Sequence, residues 1–121
     1  MNTQELIKII QTSPTEVEFD QVIKVIDTDY DYTATQFYNG LGDKEIVNKA
    51  GSNEGSCKIF AFADLNDLNE SQTLSCFGKY YRQDVLLNLG GTDHANIRNF
   101  MKFGWEGIHF DSPPLALKAN E

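Results

Sequence analysis

The sequence contains few of the residues that build metal centres. It has two cysteines, Cys57 and Cys76, and two histidines, His94 and His109, in 121 residues. No CxxC pair and no Cys/His cluster of zinc-ligand spacing is present, so we predict no metal site. The two cysteines could pair in a disulfide, but their apolar surroundings favour buried, reduced thiols in a cytoplasmic chain.

Long hydrophobic runs are also missing. The apolar stretch near the start, residues 6–10, is interrupted by Lys8, and no basic region precedes it. A membrane-spanning helix needs about 20 apolar residues, and a signal peptide needs a basic start. We therefore predict neither a membrane segment nor a secretory signal, and we expect a cytoplasmic protein.

Positive charge is scarce. Ten Lys and Arg residues face 18 Asp and Glu residues, which gives a formal net charge of -8. Such a chain repels the phosphates of nucleic acids and anionic membrane surfaces. We therefore predict no nucleic-acid partner and no membrane partner. The length of 121 residues fits one domain that spans residues 1–121.

Two short motifs resemble ligand-binding loops but lack essential residues. Residues 27–31 begin like a calcium loop, yet Tyr32 stands where glycine is needed and Tyr38 where a bidentate acid is needed. Residues 51–56 have glycines too closely spaced for a phosphate loop, and no Lys-Ser/Thr pair follows them. A mobile connection is favoured for that segment, with a gating loop over a pocket as the alternative.

Hydrophobic periodicity predicts an α+β fold. Predicted helices span residues 3–11 and 13–28, and a long helix runs from residue 70 to the glycines at 90 and 91. A polar helix follows Thr92, and residues 44–50 could form a short helical turn. Predicted strands span residues 30–38, 57–63, 105–110 and 115–118, and the apolar strand 57–63 is expected at the centre of the sheet. We predict a single domain of about four helices packed on a small antiparallel or mixed sheet of three to four strands.

The polar segment 91–101 holds the candidate catalytic residues. Thr92 is predicted to cap the helix, which places Asp93 at its positive end. Steps of about 100° per residue then put His94 and Arg98 on one flank of the helix. A cation four residues from a histidine disfavours the charged imidazole and would leave a neutral base. The buried stripe of this helix is predicted to contain Ile97, Phe100 and Met101.

Candidate ligand-binding residues lie on the preceding helix. Tyr80, Tyr81 and Arg82 face the same cleft if the two helices pack antiparallel, and they would offer a phenol and a guanidinium to a small anionic or polar ligand. Asn96 is a further candidate. The alternative is a structural network in which Asp93 caps the helix, the ring of His94 packs at the core boundary, and Arg98 bonds carbonyls or Asp84.

The sequence around His94 resembles the HopJ type III effector family. The most distinctive run comprises Thr92, Asp93, His94, Asn96, Ile97, Arg98, Asn99 and Phe100, and it is supported by residues 19–40, 50–63 and 80–82 and by Gly104 and Trp105. The resemblance extends from about residue 15 to residue 118. It implies a small bacterial protein that is delivered into a host cell and contacts host components, and it carries over no catalytic residue.

Two functional hypotheses follow. The first is a non-enzymatic domain of the HopJ type that binds a protein or a ligand, without any cofactor, since no complete catalytic constellation is present. The second is a small cytoplasmic enzyme or small-molecule-binding protein that uses a pocket of His94, Arg98 and a tyrosine. A helical pattern that begins almost at Met1, where a secreted effector is expected to be flexible, favours a cytoplasmic role.

Overall fold

The structure is a computed structural model that describes residues 1–119. It confirms the α+β class. Within these residues the helices are α1 (Thr3–Thr12), α2 (Phe19–Asp29), α3 (Glu54–Leu65), α4 (Glu70–Ser75) and α5 (Ala95–Phe103), with a π-helical segment at Tyr80–Val85. The strands are β1 (Tyr30–Tyr32), β2 (Phe37–Asn39), β3 (Ile46–Asn48), β4 (Ile108–Phe110) and β5 (Leu115–Leu117).

The first two helices follow their capping signals. Asn2 and Glu5 form a capping box at the start of α1, which confirms the helix predicted at 3–11. The second helix does not begin at Ser13 as predicted, because Pro14–Glu16 forms a separate 3₁₀ turn. Helix α2 starts at Phe19, where the amide of Glu18 donates to the side chain of Gln21.

The strands form two antiparallel sheets instead of the single sheet that was predicted. Strand β1 pairs with β5, and β2 lies between β3 and β4. The predicted strand 30–38 is therefore wrong as one element, since β1 and β2 belong to different sheets. The predicted helical turn at 44–50 is also wrong, because β3 occupies its centre after a 3₁₀ turn at Gly42–Lys44. The final strand predicted at 115–118 is confirmed as β5.

The segment predicted as the central strand is a helix. Helix α3 runs from Glu54 to Leu65 and buries six residues, namely Cys57, Ile59, Phe60, Ala61, Phe62 and Ala63. A short run of consecutive apolar residues has no periodicity that separates a buried strand from a buried helix. Because α3 is covered on nearly all sides, its sequence shows neither an alternating pattern nor an amphipathic stripe.

The long helix predicted from residue 70 is interrupted at Gly78. Asn69 and Gln72 form the expected capping box, but α4 ends at Ser75. Gly78 has φ +59°, and a β-carbon there would lie 2.8 Å from the backbone nitrogen of Phe19. Only glycine fits this left-handed position against another backbone segment. The chain then resumes as the π-helical segment and packs against α5.

Helix α5 starts later than predicted and buries a different face. Its first residue is Ala95, and His94 is its N-cap, so Thr92 does not cap a helix and Asp93 lies outside it. Ile97 and Phe100 are buried as predicted, whereas Met101 is 38% exposed. The third residue of α5 that is buried is Asn96, and not Met101. The strand predicted at 105–110 begins at Ile108, after a 3₁₀ turn at Gly104–Gly107.

The core surrounds α3 and is rich in aromatic rings. Phe60 of α3 lies 6.2 Å from Phe37, 5.4 Å from Phe77 and 5.0 Å from Phe100 between ring centroids. Both cysteines are free and buried, as predicted. Burial raises the pKa of the Cys76 thiol to about 12. No helix within residues 1–119 combines the length and the apolar character needed to cross a bilayer.

Candidate functional site

A cleft of about 310 Å³ opens where the first turns of α3 and α5 come together. Helix α3 contributes Gly55 and Ser56, and α5 contributes Ala95, Asn96 and Ile97. The remaining lining residues are Phe19, Ile46, Asn53, Phe77, Tyr80 and His94. Two helix N-termini from distant parts of the chain therefore border one cavity.

Both helices begin with an unusual backbone conformation. The N-cap residues Asn53 and His94 are left-handed, with φ 51° and φ 50°. Such values are uncommon for residues other than glycine. A left-handed residue that precedes a right-handed helix directs successive amide groups into a concavity that suits an anion.

The first-turn amides of both helices lack side-chain caps. Neither Asn53 nor His94 accepts a hydrogen bond from its helix through its side chain. The amide of Cys57 donates to the carbonyl of Asn53, and the amide of Arg98 donates to the carbonyl of His94, so helical hydrogen bonding begins one turn into each helix. The amides of the residues before Cys57 and Arg98 in each first turn have no partner inside the helix. They carry the positive end of the helix dipole.

An aromatic wall flanks these amides. The ring of Tyr80 lies 5.0 Å from the ring of Phe19 and 5.2 Å from that of His94. A β-carbon on Gly55 would lie 2.8 Å from Phe19, so glycine allows this ring to approach the start of α3. The wall gives the cleft an apolar side beside its amide donors.

Carboxylates, and not the predicted guanidinium, face the ring of His94. Its Nε2 atom lies 3.0 Å from Oδ2 of Asp84 and 3.9 Å from Oδ2 of Asp93. A carboxylate that bonds one ring nitrogen fixes the orientation of an imidazole. Arg98, which is predicted to lie beside this ring, bonds Asp93.

Arg98 closes the loop that precedes α5. Its guanidinium donates to Oδ1 of Asp93 at 2.6 Å and to the carbonyl of Asn88 at 2.9 Å, and it also reaches the carbonyls of Asp93 and Leu89. The hydrogen bond from Arg98 lowers the pKa of the Asp93 carboxyl below its ordinary value of 3.8. Arg98 and Asp93 thus hold residues 88–93 together, outside the residues that line the cleft.

A network of asparagines fixes the two helix starts relative to the sheet. Asn48 of β3 and Asn96 of α5 bond each other through both side-chain groups. Asn53, the N-cap of α3, donates to Asn48 at 2.7 Å, and Asn39 of β2 donates to Asn96 at 3.0 Å. The distance between the two amide clusters is therefore determined by buried amide side chains.

Comparison with known proteins places this fold in a family. Residues 3–115 match the family described as HopJ type III effector protein. The chain belongs to the HopJ type III effector family. A solved structure, the crystal structure of the unknown function protein VPA0580, is similar to it with 47% sequence identity and a TM-score of 0.92, over 98% of this chain and 95% of that one. Among curated proteins, none shows significant similarity to the chain.

The HopJ resemblance inferred from the run around His94 is thereby confirmed. Of the residues singled out in the sequence, Tyr80, His94 and Asn96 line the cleft. Tyr81 packs against the core, and Arg82 donates to the carbonyls of Pro14 and Val17. These two side chains lie away from the cleft, as do Asp93 and Arg98.

The half of the cleft that belongs to α3 is not predicted by the sequence pattern. The predicted strand at 57–63 places Asn53, Gly55 and Ser56 in a connection, whereas they lie at the start of a helix. An asparagine before an apolar run is a common helix start, and this signal could have identified the N-terminus. Asp84, the predicted partner of Arg98 in the structural network, contacts His94 instead.

Proposed function

We propose that this HopJ family member is a non-enzymatic binding domain that takes a small anionic ligand, a carboxylate or a phosphate ester, in the cleft between α3 and α5. The observation that carries the proposal is the convergence of two uncapped helix N-termini on one cavity. Helix N-termini favour anions through their free amides and their dipole. The chain therefore concentrates positive potential at one site despite its net charge of -8.

The side chains around the cleft fit such a ligand. Ser56 adds a hydroxyl donor, and the ring of His94, whose Nε2 lies 3.0 Å from Oδ2 of Asp84, lines the same cleft. Phe19, Phe77 and Tyr80 provide an apolar wall for the body of an organic anion. Small-molecule sites commonly combine a few convergent polar groups with such a wall.

The test introduces a competing negative charge without harming the fold. Ala95 is exposed in the first turn of α5, so Ala95→Asp places a carboxylate where the ligand is expected and also favours the helix dipole. We expect amide chemical shifts of Gly55, Ser56, Asn96 and Ile97 to move when the protein is titrated with inorganic phosphate or acetate. The apparent affinity should fall about tenfold or more in Ala95→Asp, without a loss of thermal stability.

A matched variant controls for net charge. Thr15→Asp adds the same charge at an exposed residue of the 3₁₀ turn after α1, outside the cleft, and should bind as the wild type does. The anion site at these helix starts would be ruled out if the wild type showed no amide chemical-shift changes on titration. It would also be ruled out if Ala95→Asp and Thr15→Asp had the same apparent affinity for the anion.

A small enzyme is the second candidate, and the pair of Asp84 and His94 favours it. A carboxylate 3.0 Å from an imidazole beside a cleft is the arrangement of a general base and its orienting group. Turnover of p-nitrophenyl esters or phosphates above background, lost in His94→Gln while ligand shifts persist, would support catalysis and overturn the non-enzymatic assignment. No turnover would leave His94 as a binding residue.

The family description also motivates a proposal about location. A type III effector is delivered into a host cell, whereas the alternative is a cytoplasmic role in the bacterium. Fusion of the chain to a translocation reporter, compared in strains with and without a working secretion apparatus, separates the two. A reporter signal that requires the apparatus supports delivery, and equal background in both strains supports the cytoplasmic role.

A further inference from the structure

A larger cleft of about 550 Å³ lies beside β4, and it shares no lining residue with the cleft between α3 and α5. One wall is the outer side of α3, with Asp64 and Leu65, and the other is the loop that contains Pro113 and Pro114. All three residues of β4 line it. It also contains Trp105, the single tryptophan of the chain.

Strand β4 forms an edge of its sheet, since the strand order is β3-β2-β4. The amide of Gly40 donates to Gly107, and that of Asp111 donates to Gln36. These two contacts are hydrogen-bonded pairs of the ladder between β2 and β4. Because bonded and non-bonded pairs alternate along an antiparallel ladder, His109 and Tyr38, which lie between them, form the third bonded pair. The N–H and C=O groups of Phe110, and the C=O group of Ile108, therefore point away from β2.

These outward groups are available to another strand. The amide of Ile108 is already used, since it donates to the carbonyl of Trp105 in the preceding 3₁₀ turn. Within residues 1–119, the amide and carbonyl of Phe110 make no backbone hydrogen bond on the outer side. An extended segment that pairs with an exposed edge gains main-chain hydrogen bonds, and side chains at alternate positions then enter neighbouring pockets.

The cleft combines apolar side chains with two carboxylates. Trp105, Ile108 and Phe110 are partly buried, and Leu65 is 56% exposed. The carboxylates of Asp64 and Asp111 are exposed, and among residues 1–119 neither makes an ion pair. Two unpaired carboxylates that flank an apolar strand edge complement a segment with alternating basic and apolar side chains.

We propose that this cleft binds an extended basic peptide segment of another protein, which adds to β4 as a strand. Its backbone pairs with Phe110, its lysine or arginine side chains face Asp64 and Asp111, and an apolar side chain packs against Trp105 and Leu65. The net charge of -8 assists the encounter with a basic partner. This surface is independent of the proposed anion site, so either proposal can fail alone.

The test uses Trp105 as a built-in reporter. A short synthetic peptide that alternates lysine and valine, with blocked ends, is titrated into the full chain while tryptophan fluorescence and amide shifts are recorded. We expect a saturable fluorescence change, a shift of the Phe110 amide, and weaker binding at high salt. Asp64→Asn and Asp111→Asn should each lower the affinity about twofold to fivefold, as expected for exposed ion pairs.

Three controls separate strand addition from general attraction. Asp43→Asn removes an exposed carboxylate outside the cleft and should have no effect. The same peptide N-methylated on alternate residues keeps its charge but loses backbone donors, so it should bind at least tenfold more weakly. A peptide that alternates glutamate and valine should not bind.

Several results would overturn the proposal. These are the absence of a fluorescence change with the basic peptide, equal binding of the N-methylated peptide, and equal loss in Asp43→Asn and the two cleft variants. Sedimentation that shows a stable dimer of the free chain, with β4 protected in it, would assign the edge to a second copy instead.

Discussion

Asn48 and Asn96 exchange two side-chain hydrogen bonds, with Nδ2 of Asn96 donating to Oδ1 of Asn48 at 2.9 Å and Nδ2 of Asn48 donating to Oδ1 of Asn96 at 3.1 Å. Both side chains are buried, at 1% and 8% exposure. Asn53 and Asn39 bond the same pair, so this exchange connects β2 and β3 to the starts of α3 and α5. The geometry of the candidate anion site depends on it.

Asn96→Ala should therefore lower both stability and order at the cleft. The substitution leaves the buried side-chain amide of Asn48 without its acceptor, whereas Asn39 keeps the backbone carbonyl of residue 96, so we expect a cost of about 1–3 kcal/mol in the free energy of unfolding. Chemical denaturation measures this loss. Asn88→Ala, which removes one exposed hydrogen bond to the carbonyl of Asp84, should cost less than about 1 kcal/mol. Equal losses in the two variants would contradict a special role for the buried network.

Gly78→Ala should be far more destabilising than Gly90→Ala. A β-carbon at Gly78 would meet the backbone of Phe19 at 2.8 Å in a left-handed conformation, whereas one at Gly90 would have no atom within 4 Å. We expect a loss of about 2 kcal/mol or more for Gly78→Ala and a change within about 0.5 kcal/mol for Gly90→Ala. Thermal denaturation of both variants checks this, and similar melting temperatures would refute the close approach of α2 to this turn.

The fold was predictable where local signals and burial agreed. The capping box of α1, and the break at residues 111–114 that precedes β5, mark these elements without help from the rest of the chain. Helix α3 could not be predicted in this way, since burial on nearly all sides removes the periodicity of its apolar residues. The interruption at Gly78 depends on the backbone of Phe19, which is distant in sequence.

The candidate site was predictable only in part for the same reason. The polar stretch 91–101 contains His94 and Asn96, and antiparallel packing of the preceding helix predicts that Tyr80 faces the same cleft. The α3 half of the cleft required recognition of a helix start before Glu54. Ideal helix geometry predicts Arg98 beside His94, but His94 is a left-handed N-cap outside the helix, and each side chain lies next to one carboxylate oxygen of Asp93.

Asp29 should make stability depend on acid pH. Its carboxylate accepts hydrogen bonds from the amide and hydroxyl of Thr3, at 2.8 Å and 2.7 Å, and these bonds lower its pKa from the ordinary 3.8. A carboxyl whose pKa is lower in the folded chain binds fewer protons when folded. Its stabilisation is therefore complete above the unfolded pKa near 3.8 and is lost as the pH falls through the folded pKa.

Asp29→Asn tests this pH window. The variant should be less stable than the wild type at pH 7, and the difference should shrink as the pH falls below about 3.8. Denaturation curves at a series of pH values measure it. Asp31→Asn changes an exposed carboxylate of β1 and should lower the stability at pH 7 less than Asp29→Asn does. A constant difference for Asp29→Asn would exclude the Thr3 bonds as its source.

Arg98→Met should separate a structural role from a ligand-binding role. The arginine side chain is 15% exposed and bonds Asp93 together with the carbonyls of Asn88 and Leu89. Removal of these bonds should lower the free energy of unfolding by about 1.5–3 kcal/mol, since they involve a charged donor. Lys102→Met, at an exposed residue of α5, removes the same charge and should cost less than about 0.5 kcal/mol.

The ligand titration gives the second readout for Arg98→Met. Because the guanidinium lies outside the cleft, the changes in the amide chemical shifts of Gly55 and Ser56 on addition of phosphate should persist in the folded variant. Their loss, with stability unchanged, would instead identify Arg98 as a group that contacts the ligand.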